Sequence, residues 1–155
     1  MTPTPPTLDQ SINYLLGIDT TEHWCDSIAW TPSPEDWGNI CVDTIAKMVN
    51  PSLDAIAALM FGAMHSEIEE LRHTCAVQLR ESNALLGALV MYLQTFDSDD
   101  NIVEYALDAL CDEAPGDDWT LANSATTRIL EHNSAKLRQL ALLCQQKMAD
   151  RSAEP

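Results

Sequence analysis

Histidines and carboxylates at helical spacing are the residues of this chain with the clearest capacity for chemistry. His65, Glu69 and His73 follow one another at four-residue intervals, and Glu70-Leu71-Arg72-His73 has the Glu-x-x-His spacing with which bundle helices ligate di-iron centres. A di-iron centre needs two such motifs and further inward glutamates, and the sequence holds one motif. These four residues therefore read as the polar side of an exposed helix, and no metal is expected. His23 and Cys25 are the nearest candidates for a thiol nucleophile and its base, but closeness in sequence does not make the geometry such a pair requires. With Gly 5 in the whole chain there is no glycine-rich phosphate loop and no dinucleotide fingerprint. The expectation is a protein that is not an enzyme, with no catalytic residues and no cofactor.

The remaining candidate chemistry is electrostatic. The 155 residues contain 24 Asp and Glu against 8 Lys and Arg, a net charge of −16. The segment Asp97 to Asp118 carries Asp97, Asp99, Asp100, Glu104, Asp108, Asp112, Glu113, Asp117 and Asp118 with no base at all. Asp100, Glu104, Asp108 and Asp112 recur every four residues, which sets them along one side of a helix at steps of about 6 Å. Like charges at that spacing and acids in a last turn both oppose the helix they sit on, so local stability does not account for the stripe. One account is mimicry of phosphate potential, directed at an Arg/Lys-rich groove on a partner protein. The other is solubility, although −16 exceeds the magnitude of about 2 to 8 that keeps a small domain soluble.

The same charge bears on partners. It repels phosphate backbones and anionic lipid headgroups, so direct nucleic-acid or membrane binding is not expected. Apolar residues make up 46% of the chain and charged residues 21%, a composition that builds a core and differs from acidic disordered tails. Cys25, Cys41, Cys75, Cys111 and Cys144 are odd in number, widely spaced and without a CxxC pair, which points to a reduced, cytoplasmic chain. The longest apolar run, Ala55 to Met64, is too short to span a bilayer.

The elements that must position the acids read as helices throughout. Thr7-Leu8-Asp9-Gln10 is a capping box, and Gly17 suits the position just past the end of a first helix. Asp19 to Pro34 reads as a loop pinned by Trp24 and Trp30. Ser33 caps a second helix with Pro34 in its first turn and Trp37, Ile40, Cys41, Ile45 and Met48 inward. From Pro51-Ser52, helical periodicity runs through Ile56, Met60, Met64, Ile68, Leu71, Cys75 and Leu79, then Leu86, Leu89, Leu93 and Phe96. That stretch predicts one long helix or two, weakest at Gly62 and at Glu81-Ser82-Asn83, with Ala58 and Gly62 able to admit a neighbouring helix closely. Val103, Ala106, Leu107 and Leu110 face the core from the acidic helix, Ala114-Pro115-Gly116 breaks it, and a last helix runs from Asp117 or Asp118 through Cys144.

The expected fold is an all-α, compact bundle of about five to six helices with one long or broken central helix. Its organisation is a disordered lead over 1–6, a single helical domain over 7–150 and a tail over 151–155. The seam Leu130, Asn133, Leu137, Leu140 and Cys144, with one polar member, suits either the interior or a homodimer. Trp24, Trp30, Trp37 and Tyr14 are candidates for core anchors first and a protein-binding patch second. The functional expectation is an acidic interaction protein that occludes the basic surface of a nucleic-acid-binding partner, as anti-CRISPR and anti-restriction decoys do, with Asp97 to Asp118 as the partner-binding segment. The alternative is a structural or adaptor bundle whose acidity serves only solubility.

Overall fold

The computed structural model describes residues 6–18 and 34–152. Regular structure among them is entirely helical, as the periodicity predicts. Eight α-helices are present among the described residues: α1 (Leu8–Leu15), α2 (Pro34–Ala46), α3 (Leu53–His65), α4 (Glu69–Ser82), α5 (Ala84–Gln94), α6 (Asp100–Asp112), α7 (Thr120–Ile129) and α8 (Ala135–Ser152), with a 3-10 turn at Pro115–Asp117. That exceeds the five or six expected, because two stretches that read as continuous are interrupted. Residues 1–5, the segment 19–33 with His23, Trp24, Cys25, Trp30 and Ser33, expected as a loop and a helix cap, and residues 153–155 lie outside the described residues.

The expected helix ends hold where local side chains dictate them. Thr7 Oγ1 accepts the Gln10 N–H at 3.2 Å while Gln10 Oε1 accepts the Thr7 N–H at 2.8 Å, completing the capping box. Gly17 closes α1 at φ +71°, the left-handed conformation that glycine adopts without strain. Ser52 caps α3 by accepting the Ala55 N–H at 3.2 Å.

Residues 52–96 form three helices, not one or two. The break at Asn83 falls at the predicted polar patch, and Asn83 alone links α4 to α5. The other break lies beyond Gly62, at Ser66. There the backbone is extended, the Ser66 hydroxyl accepts the Ile68 N–H at 3.2 Å, and Arg72 donates to the Ser66 carbonyl at 2.7 Å. A serine that satisfies its neighbours' backbone in this way competes with the helical ladder. Gly62 stays inside α3, buried, and a Cβ there would stand 2.7 Å from Cys75 Sγ. Its missing side chain lets α3 approach α4, the role predicted for the Ala58/Gly62 pair. Gly38 does the same between α2 and α4, where a Cβ would meet Leu71 at 2.6 Å.

The last predicted helix is likewise two, α7 and α8. His132 Nδ1 accepts the Ser134 N–H at 2.9 Å, Ser134 Oγ accepts the Leu137 N–H at 3.4 Å, and Arg138 donates to the carbonyls of His132 and Asn133 at 2.6 and 3.0 Å. Every one of these bonds favours a turn over helix at 130–134. Asn133 is thus an exposed turn residue, and the Leu130-to-Cys144 seam is not one helical face. The buried side of α8 is Leu137, Ala141, Cys144 and Met148.

The helices cluster into two compact units, 1–83 and 84–155. In the first, α1 packs on α2 and α3 on α4, while α1 also meets α3 and α2 meets α4. In the second, α5, α6, α7 and α8 repeat that scheme, with an added contact between α6 and α7. Each unit is therefore a pair of stacked helical hairpins, the way helix-pair repeats bury a shared face. The clasping arginines correspond as well, since Arg72 and Arg138 each stand fourth in the last helix of their unit and reach the carbonyl six residues back. The first unit's core includes Leu15, Trp37, Cys41, Ile45, Leu59, Cys75 and Leu79; Ile40 and Met48, expected inward, are half-buried.

Candidate partner-binding surface

The acidic segment builds its own helix first. Asp97 accepts the Asp99 N–H at 2.8 Å, and Asp99 caps α6 by accepting the Asn101 N–H at 3.0 Å. These two carboxylates are half-buried and occupied with backbone donors that the helix start would otherwise leave unsatisfied. Ile102, Val103, Ala106, Leu107, Leu110 and Cys111 form the buried side of α6, which fixes the acids of the stripe on the remaining surface.

That stripe does not stand alone. Lys136 lies 2.9 Å from Glu104; Lys147 lies 3.4 Å from Asp108 and 3.3 Å from Asp112; Arg151 lies 3.8 Å from Asp112 and donates to the carbonyls of Cys111 and Asp112. The α8 bases thereby offset the like-charge repulsion that the sequence predicts along α6, and Arg151 satisfies carbonyls at the helix end. A hydrogen bond to Glu104 holds Lys136 above the ordinary lysine range, and one to Asp112, with the field of Asp108, does the same for Lys147.

Four acids of the segment remain at the surface outside these pairs. Asp100 opens α6 and is exposed; Glu113 closes it and is exposed. Asp117, at φ +56°, and Asp118 follow in the 3-10 turn and its end. Asp118 accepts the Thr120 N–H at 3.0 Å and the Thr120 hydroxyl at 2.6 Å, which hold its carboxyl below the usual range. Glu113 and Asp118 also contribute to the wall of an otherwise apolar hollow, about 70 Å³ in volume, formed by Leu85, Leu110, Pro115 and Leu121 among others.

Leu85 connects that hollow to a feature the periodicity misassigns. Leu89, Leu93 and Phe96 read as a core face, yet they are 41%, 47% and 57% exposed, and Leu85 is 60% exposed. The side of α5 that is buried carries Gly87, Ala88, Val90, Met91 and Gln94. α5 is apolar almost all round, so spacing alone cannot choose which side faces inward. At its far end Arg128 covers the Phe96 ring at 3.6 Å and donates to Thr95, to the carbonyl at 3.2 Å and the hydroxyl at 2.5 Å.

The other candidates are dispersed or buried. His65 ends α3 and Glu69 starts α4, so the His65, Glu69, His73 progression does not run along one helix. Among the described residues no group of three His, Cys, Asp or Glu side chains is placed to hold a metal ion. Burial, then the charge of Arg80, lowers the His73 pKa. Trp37 is fully buried and serves the core. Cys41, Cys75, Cys111 and Cys144 are buried free thiols. Burial pushes Cys41 up to about 11 and Cys75 up to about 12. Cys111 and Cys144 interact between α6 and α8, which favours charge on Cys144 and pushes Cys111 up, while burial raises both. Among the described residues no helix is long and apolar enough to cross a membrane. No family model, curated protein or solved structure matches this chain.

Proposed function

We propose that this protein is a non-enzymatic interaction protein whose acidic surface binds and occludes a basic, nucleic-acid-binding surface of a partner, in the manner of anti-CRISPR or anti-restriction decoys. The observation that carries this reading is the set Asp100, Glu113, Asp117 and Asp118. These carboxylates stay exposed after α8 has supplied Lys136, Lys147 and Arg151 to the stripe. An acidic field of this size raises the association rate with a basic surface and selects against other anions. The working carboxylates are then the four outside the ion pairs, with Glu104, Asp108 and Asp112 serving mainly to tie α6 to α8.

A pull-down from host lysate at low and high salt, read by mass spectrometry, tests it with wild type and one set of variants. Neutralising Asp100, Glu113, Asp117 and Asp118 to their amides should abolish capture of a nucleic-acid-binding protein, and high salt should do the same. Capture indifferent to both would refute the decoy. A second reading, an adaptor bundle whose acidity serves solubility, is favoured by the pairing of the stripe within its own unit. It expects partner capture to be indifferent to salt and to every acid of the segment.

A further inference from the structure

We infer that the exposed ridge of α5, with the hollow at its first turn, is a docking track for an amphipathic helix of the partner that carries a lysine or arginine at its N-terminal end. This inference rests on the acidic-surface reading above and specifies which surface meets the partner and how.

Leu85, Leu89 and Leu93 lie on one side of α5 over a length of about 12 Å, and Phe96 follows exposed in the turn just past the helix. That length matches about two turns of a second helix, with Phe96 beyond them, and contiguous large apolar side chains in water mark a binding surface more often than decoration. Tyr92 sets its ring edge-on to Phe96 at 5.6 Å, which gives the ridge a firm end.

Charge selects the occupant. At the Leu85 end the hollow has apolar walls and two carboxylates, Glu113 and Asp118. Its volume of about 70 Å³ is several times what one water needs by the same measure, enough for the aliphatic stem of a basic side chain. The stem of a lysine or arginine would lie against Leu85, Leu110 and Leu121 while its cationic head meets the carboxylates. A helix laid on the ridge with its N-terminus over Glu113 and Asp118 brings its positive end to these carboxylates, because a helix is positive at its start. A second copy of this chain is a poor occupant, since residues 84–155 carry twelve acids against five bases and two such units repel.

The test uses the full chain and a labelled synthetic helix of about 15 residues, long enough to be helical on binding, with two lysines in its first turn and leucines at i, i+4, i+7 and i+11. Fluorescence anisotropy should give saturable binding that Leu89→Ser with Leu93→Ser weakens by at least about tenfold, as loss of central apolar anchors does. Glu113→Gln with Asp118→Asn should weaken it by about tenfold, the effect of losing charge-assisted contacts. The same peptide with its lysines moved to the last turn should bind several-fold more weakly. All four substituted positions are exposed, and circular dichroism verifies that the variants fold.

Binding that survives the leucine substitutions, or is equal for the two peptides, overturns the track. Sedimentation showing a dimer that the leucine substitutions dissolve overturns the partner helix in favour of a second copy. These outcomes are separable from failure of the decoy: the lysate experiment tests dependence on salt and exposed acids, whereas the peptide experiment tests dependence on Leu89 and Leu93.

Discussion

Lys147 of α8 sits between two carboxylates of α6, 3.4 Å from Asp108 and 3.3 Å from Asp112, so a charge pattern that opposes its own helix becomes a link between two helices. The pairs are about half exposed, so each contributes little. Lys147→Ala should lower stability by less than about 1 kcal/mol in urea unfolding at low salt, and the difference should vanish near 1 M salt, where screening is nearly complete. A loss that persists at high salt would show that the lysine stem, and not its charge, is what matters.

Gly62→Ala should destabilise the first unit. The added methyl meets Cys75 Sγ at 2.7 Å in a packed interface between α3 and α4, and overpacking of that kind costs about 1 to 3 kcal/mol. Adding Cys75→Ala should restore part of the loss by removing the clashing sulfur, so the two substitutions should be less damaging together than their sum. Urea unfolding of the two single variants and the double variant measures the coupling.

The turn before α8 should depend on Arg138. Arg138→Ala leaves the carbonyls of His132 and Asn133 without their donor, at an expected cost of about 1.5 to 3 kcal/mol for bonds from a charged group. Hydrogen exchange should then rise first in the opening turns of α8. Arg138→Lys should recover only part, because one ammonium on a flexible stem reproduces the two bonds poorly.

These arginines explain what the sequence could and could not convey. Helix starts were legible at Thr7 and Ser52, where a side chain caps its own backbone next to a clear break in the apolar pattern. The core face of α6 was legible because its apolar and acidic residues segregate cleanly. The breaks at Ser66 and at 130–134 were not, since each depends on an arginine six residues downstream turning back to a carbonyl. The side of α5 was ambiguous because Leu85, Leu89 and Leu93 compete with Gly87, Ala88, Val90 and Met91 for the interior, and packing against α6 and α7 decides between them. In the acidic segment the residues were legible but their division was not. Which carboxylates meet α8 depends on how α6 and α8 pack, a tertiary fact absent from the spacing.

Buried thiols make the fold sensitive to alkali. Cys41 and Cys75 titrate near 11 and 12 in the folded state against an ordinary value of 9.0, so the folded state holds these protons more tightly than the unfolded chain does. The stability these two thiols contribute is therefore whole below pH 9 and is lost as pH rises through about 11 and about 12. Cys41→Ala should flatten the fall of unfolding free energy between pH 9 and pH 11, whatever it does to stability at pH 7. An unchanged slope would show that other groups govern alkaline unfolding.

Arg128 serves the second unit by three contacts at once. Its guanidinium covers the Phe96 ring and donates to the carbonyl and hydroxyl of Thr95, a residue only 2% exposed. The Thr95 hydroxyl in turn donates to the Tyr92 carbonyl at 2.5 Å, so the chain end of α5 is tied through Thr95 to α7. Lysine has the charge but neither the planar fork nor the stacking face. Arg128→Lys should therefore lose nearly as much stability as Arg128→Gln, about 1 to 3 kcal/mol in each case, since both leave the buried Thr95 carbonyl short of a donor. A lysine variant close to wild type would mean that charge alone holds this corner. A loss shared by both variants, with faster exchange at the end of α5, would locate the contribution in the fork and the ring.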